Sequence, residues 1–405
     1  MKELGVGMIG YGFMGRMHTY AYASLPFLYD PPPAKIRLVG ACAASEASRR
    51  LAIERAGYEF ATPDYRDLLA RDDIQLINIC TPNYLHHEQV LAALAAGKHV
   101  YCDKPLAMNS AQAEEMVEAA KRAGTTCQIT FHNRFSPAVM RAREMVSTSD
   151  SEPSEHSHSE RSPHSHSERS EESAFLGEIL SFRAIYLHSG YQDPEKPMTW
   201  RMQIEKSGGG AIVDLGSHAI DLVHHLAGPI TRVQANLRTV IQERPISKGS
   251  SEKAPVTVDD HALLHAELSN GALGTIEASR IATGSIDDLK IEIHGTRGAL
   301  RYELMDPNWL WVYDDTKPHA PLGGDRGWTR IECVQSYPKP AALPGPKSPI
   351  GWTRFHIASI FEFVSNVVNS RPGNPSFEDG LAAQRVIDAA ARSGQTVAWE
   401  RVEMP

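Results

Sequence analysis

Gly10-Tyr11-Gly12-Phe13-Met14-Gly15 lies between a short apolar run at residues 4–9 and a helical pattern at 14–25. Few sequence features restrict a fold more. In a strand–turn–helix setting, Gly10 permits the tight turn and Gly12 lets the backbone approach a pyrophosphate. Gly15 allows close helix–strand contact, and the helix N-terminus offers unpaired N–H donors to phosphates, with Phe13 and Met14 completing the loop. A GxGxxG alone is weak evidence, and a purely structural glycine turn is the alternative. Its position favours dinucleotide binding.

The residues that follow keep the same grammar. Strands are expected at 36–42, 74–80, 98–102 and 126–131, with helices near 46–56, 84–96 and 110–123. Gly97 and Gly124 stand just past two helix ends, where a left-handed cap belongs. Alternation at this spacing implies right-handed βαβ units and a doubly wound parallel sheet over residues 1–130. An acidic residue at the end of the second strand would hold the ribose hydroxyls of NAD. That position falls at Ala43-Ala44-Ser45, with Arg49 and Arg50 close by. A missing carboxylate beside guanidinium groups leaves room for a 2′-phosphate, so the cofactor is read as NAD or NADP. Solvated helix arginines are the competing reading. Ser45 and Arg49 are the candidate contacts.

Residues 131–405 read differently. Strand candidates at 178–188, 231–243, 256–269, 272–281, 287–294 and 298–304 follow one another, with Asn270-Gly271 a hairpin signal. The expectation is an α+β domain with an open, largely antiparallel or mixed sheet. A helix is expected at 211–227, irregular covering at 314–350, and packing helices at 353–370 and 377–393. Residues 147–173, almost all Ser, Glu, His, Arg and Pro, carry 7 acidic residues against 2 arginines. They read as a disordered low-complexity insertion, because nothing in them offsets the entropy of ordering. Their histidines invite a metal-binding reading, but a solvated loop is preferred and no metal site is assigned.

Composition narrows the classes. The formal net charge is −8 and no basic stripe is visible, which argues against nucleic acid as a partner. No apolar run approaches the ~20 residues that span a bilayer. The 5 cysteines form no Cys-x-x-Cys pair, and the start lacks a signal-peptide pattern. A cytoplasmic enzyme is the expectation.

Three further stretches bear on chemistry. Thr81-Pro82-Asn83-Tyr84-Leu85-His86 follows a strand end, and Asp103-Lys104-Pro105 follows the next. Trp200-Arg201 precedes Gly208-Gly209-Gly210 and then Asp214-Leu215-Gly216-Ser217-His218. With the glycine loop, these resemble the glucose–fructose oxidoreductase / inositol dehydrogenase / MocA family. The resemblance implies a Rossmann domain, a C-terminal open-sheet domain, and often a homodimer or homotetramer. It also implies NAD(P)-dependent oxidation of a secondary alcohol on a sugar, cyclitol or related polyol. It carries the catalytic lysine onto Lys104 and the Asp-x-x-x-His pair onto Asp214 and His218. Asp103 stands where the family most often has glutamate. Thr81, Pro82, Asn83, His86 and Asp103 are the remaining cofactor candidates, although Asn83 and His86 could equally serve the helix start.

The chemistry supports these roles. Removing a hydroxyl proton requires a base near neutral pKa, which suits histidine. On a helix, Asp214 and His218 are i and i+4 and share a face, so the carboxylate is expected to orient the imidazole. Lys104 would stabilise alkoxide character at the reacting oxygen. Asn133 and Arg134 at the domain junction, and the Trp200-Arg201 wall, are candidates to meet a polyhydroxylated ring; domain packing is the alternative for both pairs. Two other functions remain open: an NAD-assisted glycosidase of the same fold and a non-catalytic dinucleotide sensor.

Overall fold

A computed structural model of the chain describes residues 1–147, 175–343, 345 and 348–403. The insertion expected at 147–173 lies outside the described residues, apart from Ser147.

The first layer comprises β1 (Glu3–Ile9), β2 (Lys35–Cys42), β3 (Phe60–Thr62), β4 (Leu76–Ile79), β5 (His99–Cys102) and β6 (Cys127–Ile129). All pair in parallel, in the order β3-β2-β1-β4-β5-β6. Helices α1 (Phe13–Leu28), α2 (Glu46–Ala56), α3 (Arg66–Leu69), α4 (His86–Ala95) and α5 (Ser110–Ala123) form the crossovers. β1 is buried from its second residue onward, as expected of a strand covered on both faces. Strand order reverses between β1 and β4, so a crevice opens beyond the carboxyl ends of those strands. β3 and α3 escape sequence reading because three- and four-residue elements show no periodicity.

The second layer is a nine-stranded mixed sheet, β16-β15-β14-β13-β7-β12-β11-β8-β17. Its strands are β7 (Ile179–Leu187), β8 (Ile230–Arg238), β11 (His261–Leu268), β12 (Leu273–Ser279), β13 (Asp288–Gly295), β14 (Gly298–Glu303), β15 (Trp309–Asp314), β16 (Trp328–Glu332) and β17 (Glu400–Arg401). β7 and β12 pair in parallel, and the other neighbours are antiparallel. A separate ribbon joins β9 (Glu243–Pro245) to β10 (Lys253–Pro255). Asn270-Gly271 does turn the β11–β12 hairpin, with Gly271 at φ +85 and the Asn270 side chain accepting the Ala272 N–H at 3.1 Å. The region 314–350 is not wholly irregular, since it contains β16. Four of the five β16 residues are exposed, so hydrophobic alternation is absent and pairing with β15 holds the strand.

Helices α6 (Pro137–Val146), α7 (Ile204–Ser207), α8 (Ser217–Leu226) and α10 (Phe377–Thr396) accompany this half. Helix α9 (Trp352–Val368) packs against α1 instead. Its Ile357, Ile360, Phe363 and Val364 share one core with Leu4, Val6 and Met8. That return of the chain brings Trp352 and His356 toward the crevice.

Candidate active site

A cleft of about 1110 Å³ runs from the glycine loop across to the second sheet. At one end, Gly10 has φ +94, and a Cβ there would come within 2.6 Å of the Cys80 carbonyl. A Cβ on Gly15 would lie 2.1 Å from the Gly10 oxygen. Gly12, by contrast, meets nothing within 4 Å and borders the cleft with Phe13 and Met14. The two crowded glycines hold the turn, and the open one leaves a cradle fitting a pyrophosphate over the N-terminus of α1.

Beyond β2 the wall is Ala43, Ala44, Ser45 and Ser48, without a carboxylate. Ser45 caps α2 by accepting the Ser48 N–H at 3.1 Å. Arg49 does not reach into the cleft; its Nη1 donates to the Ala43 and Ala44 carbonyls, each at 2.8 Å. Thr81, Pro82 and Asn83 line the crevice at the end of β4, and Asn83 Nδ2 donates to the Ser207 carbonyl at 2.8 Å across the lobes. His86 is fully buried behind them. Its nitrogens lie 2.9 Å from the Pro105 oxygen and 3.0 Å from the Thr81 oxygen. It clips two turns together and does not border the cleft, so its cofactor assignment is corrected to a structural one.

At the other end, the Asp103 carboxylate accepts the Lys104 N–H at 2.9 Å, and the Lys104 side chain crosses to the second half. Its Nζ lies 3.0 Å from Asp214 Oδ1 and also donates to the Asp214 carbonyl. Arg280 Nη2 takes Asp214 Oδ2 at 3.1 Å. Although burial opposes ionisation, Lys104, Arg280 and Arg201 hold the Asp214 carboxyl well below the usual range. The segment expected as one helix starts with a π-helical turn, Ile212–Gly216, before α8. Asp259 secures that start, accepting the Gly210 N–H at 2.8 Å and the Ile212 N–H at 2.9 Å.

Asp214 and His218 therefore share the cleft, as their spacing indicated, but the carboxylate is engaged by Lys104 and Arg280. His218 Nδ1 is buried without a hydrogen-bond partner among the described residues. The expected orientation of the imidazole by Asp214 is corrected: the aspartate positions the lysine. Burial first, and Lys104 second, hold His218 well below its ordinary pKa against the pull of Asp214. Uncharged imidazole is the form that accepts a proton, but in this state His218 is a weaker base than the near-neutral one expected from the sequence.

Trp200 and Arg201 line the same end, with the guanidinium 4.3 Å from the ring centre. Asn133 and Arg134 do not line it. Arg134 is buried in an ion pair with Asp221, its Nε 3.1 Å from both carboxylate oxygens, and its Nη2 reaches Asp379 at 2.9 Å. Asn133 is buried with neither side-chain polar atom partnered among the described residues. Neither side chain reaches the cleft, so the substrate contact expected of each is corrected to a packing role. Sequence reading missed Tyr186, His188, Asp287, His132 and Trp352, all of which border the cleft. It also missed His356, stacked on His132 at 3.8 Å. Single residues in a strand, a helix, a short turn or a loop beside a strand end carry no motif that would reveal them.

These buried imidazoles set an acid limit on stability. His18, His132, His218 and His356 are at most 4% exposed, and burial lowers each pKa, to about 4 for His18. The unfolded chain takes up protons near pH ~6.5 that the native state refuses, so stability falls as pH drops below that value. Each such histidine costs at most about 1.4 kcal/mol per pH unit until its native pKa is reached. Denaturant unfolding at a series of pH values is expected to show this loss starting near ~6.5, above the carboxylate range.

A dinucleotide cradle facing a lysine–aspartate–histidine set defines an oxidoreductase class. Residues 4–131 match the oxidoreductase family model with an NAD-binding Rossmann fold, and residues 171–301 match the GFO/IDH/MocA C-terminal domain. The chain belongs to this NAD(P)-dependent oxidoreductase family. It is 34% identical over 423 aligned residues to levoglucosan dehydrogenase of Pseudarthrobacter phenanthrenivorans, covering 100% of this chain and 99% of that protein. A solved levoglucosan dehydrogenase complex with NADH superposes with TM-score 0.88 at 32% identity, covering 100% of both chains. An oxidoreductase domain protein from Kribbella flavida gives TM-score 0.87 at 35% identity, also over 100% of both chains. Among the described residues, no helix is long and apolar enough to cross a membrane.

Proposed function

We infer that this chain is a dehydrogenase of a polyhydroxylated ring, with an anhydrosugar such as levoglucosan the leading candidate. The observation that carries this reading is the convergence of Lys104, Asp214 and His218 in the cleft that also holds the glycine loop. NAD(P)⁺ held along that loop would supply the hydride acceptor. His218 takes the proton of the reacting hydroxyl, and Lys104 donates to the same oxygen as negative charge develops. Asp214, itself anchored by Arg280, holds the lysine head in place. Trp200 and Arg201 form a wall suited to the face and hydroxyls of a sugar. In this reading residues 1–130 carry the cofactor and 131–405 the substrate.

The test is a panel of levoglucosan, other anhydrosugars, inositols and aldoses with NAD⁺ and NADP⁺, followed by absorbance of the reduced cofactor. Reduction with at least one polyol is expected. Silence across the panel, or hydrolysis of a nitrophenyl glycoside without net cofactor reduction, would contradict the reading. Cofactor choice has its own check. Ser45→Asp preserves an N-cap while placing a carboxylate at the ribose end, so it is expected to lower kcat/KM with NADP⁺ about tenfold or more and to spare NAD⁺.

The oligomer is proposed to be a homodimer or homotetramer built on the second sheet. On the β11–β12 face Leu263 stands opposite Glu277 and Leu273 opposite Glu267, so that face exposes two separate leucines. Light scattering of the purified chain would decide it. A cytoplasmic location is proposed from the five cysteines, none of which is paired.

A further inference from the structure

Tyr186 and His188, at the end of β7, converge on Asp287 just before β13. The Tyr186 hydroxyl donates to Asp287 Oδ1 at 2.7 Å, and His188 Nε2 lies 2.9 Å from the same oxygen. No described residue donates to Oδ2. All three residues border the cleft, and 31% of the Asp287 side chain stays exposed. The group sits beside the reacting end, because the Tyr186 ring is 5.7 Å from the His218 ring and 5.0 Å from the His188 ring. Its frame is rigid: β7 pairs with β13 from Leu187↔Asp288 onward, and Ser189 Oγ donates to the Ser285 carbonyl at 2.8 Å.

A carboxylate with one oxygen loaded by two donors has a fixed orientation, and its second oxygen can only accept. A buried tyrosine needs a partner for its hydroxyl, and any buried acceptor would serve that need. Placing the acceptor at the cleft surface, with a free oxygen, serves recognition of a donor. The geometry points to Asp287 as a specificity-determining residue: Oδ2 accepts a hydrogen bond from a hydroxyl other than the one oxidised. Tyr186 and His188 are its positioning residues. This rests on the sugar-dehydrogenase reading and adds that the substrate carries a second ring hydroxyl beside the reacting one.

Asp287→Asn tests it. The amide oxygen can still accept from Tyr186 and His188, while an NH₂ replaces the free acceptor. KM for the preferred polyol is expected to rise about tenfold or more, with kcat changed much less. One monodeoxy analogue, lacking the hydroxyl that Asp287 reads, should be poor for the wild type yet lose nothing further in the variant. Tyr186→Phe should raise KM for the preferred polyol by less than Asp287→Asn does, and should likewise leave the analogue unchanged. Equal KM and unchanged analogue discrimination in Asp287→Asn would overturn the assignment. If the wild type oxidises nothing in the panel, the dehydrogenase reading fails first. Equilibrium titration of the same sugars onto the dinucleotide-loaded protein then decides this one: weaker binding by the variant supports it, and equal or absent binding overturns it.

Discussion

Lys104→Met is expected to lower kcat by about 10²–10³-fold, the usual effect of removing one donor aimed at a developing oxyanion. Lys104, just past β5, reaches Asp214 at 3.0 Å and so ties the end of the cleft that holds Asp214 and His218 to the glycine-loop end. Methionine keeps the length and apolar stem but removes the donor and the charge. Asp214 would retain Arg280 at 3.1 Å, so the carboxylate is not stranded and the fold should survive. Steady-state rates measured beside thermal melting separate the two effects. A kcat within about threefold of wild type would remove Lys104 from the chemistry.

The second large effect is on stability. Arg134→Ala should cost about 3–5 kcal/mol, because it leaves a buried carboxylate uncompensated. The side chains of Arg134 and Asp221 are 8% and 2% exposed, and Asp379, at 33%, shares the same guanidinium. Denaturant unfolding should show the loss in the midpoint. A residue that bound substrate at a surface would instead raise KM in a protein of normal stability. That outcome would restore Arg134 to the site.

The Arg134 case shows where sequence reading stops. Its place after β6, at the junction of the halves, suggested substrate contact, but its partner Asp221 lies 87 residues further on. Only the packed fold reveals such a pairing. The glycine loop is readable from its local strand–turn–helix pattern, whereas Lys104, Asp214 and His218 stand out only through the family resemblance; the fold brings all of them to one cleft. Helices α2 and α5 fall where the sequence places them; Gly124 marked the end of α5, and the structure adds Ser45, Gly57 and Asn109 as the other caps. Arg280, Asp259 and Asp287 were not legible, because their roles depend on partners brought in by other elements. His86 shows a different failure: its neighbours suggested the cofactor, while both ring nitrogens face backbone carbonyls behind the wall. The π-helical turn at Ile212–Gly216 also has no signature in the sequence, yet Asp214, the residue that holds Lys104, stands on it.

In the proposed reaction the Lys104 amine, just past β5, and the His218 imidazole on α8 act on a single carbinol oxygen. A crystal structure of the protein with oxidised dinucleotide and a bound polyol measures this directly. One hydroxyl oxygen is expected within about 3 Å of both Lys104 Nζ and His218 Nε2. A bound polyol whose oxygens reach only one of the two groups, in the closed complex, would contradict it.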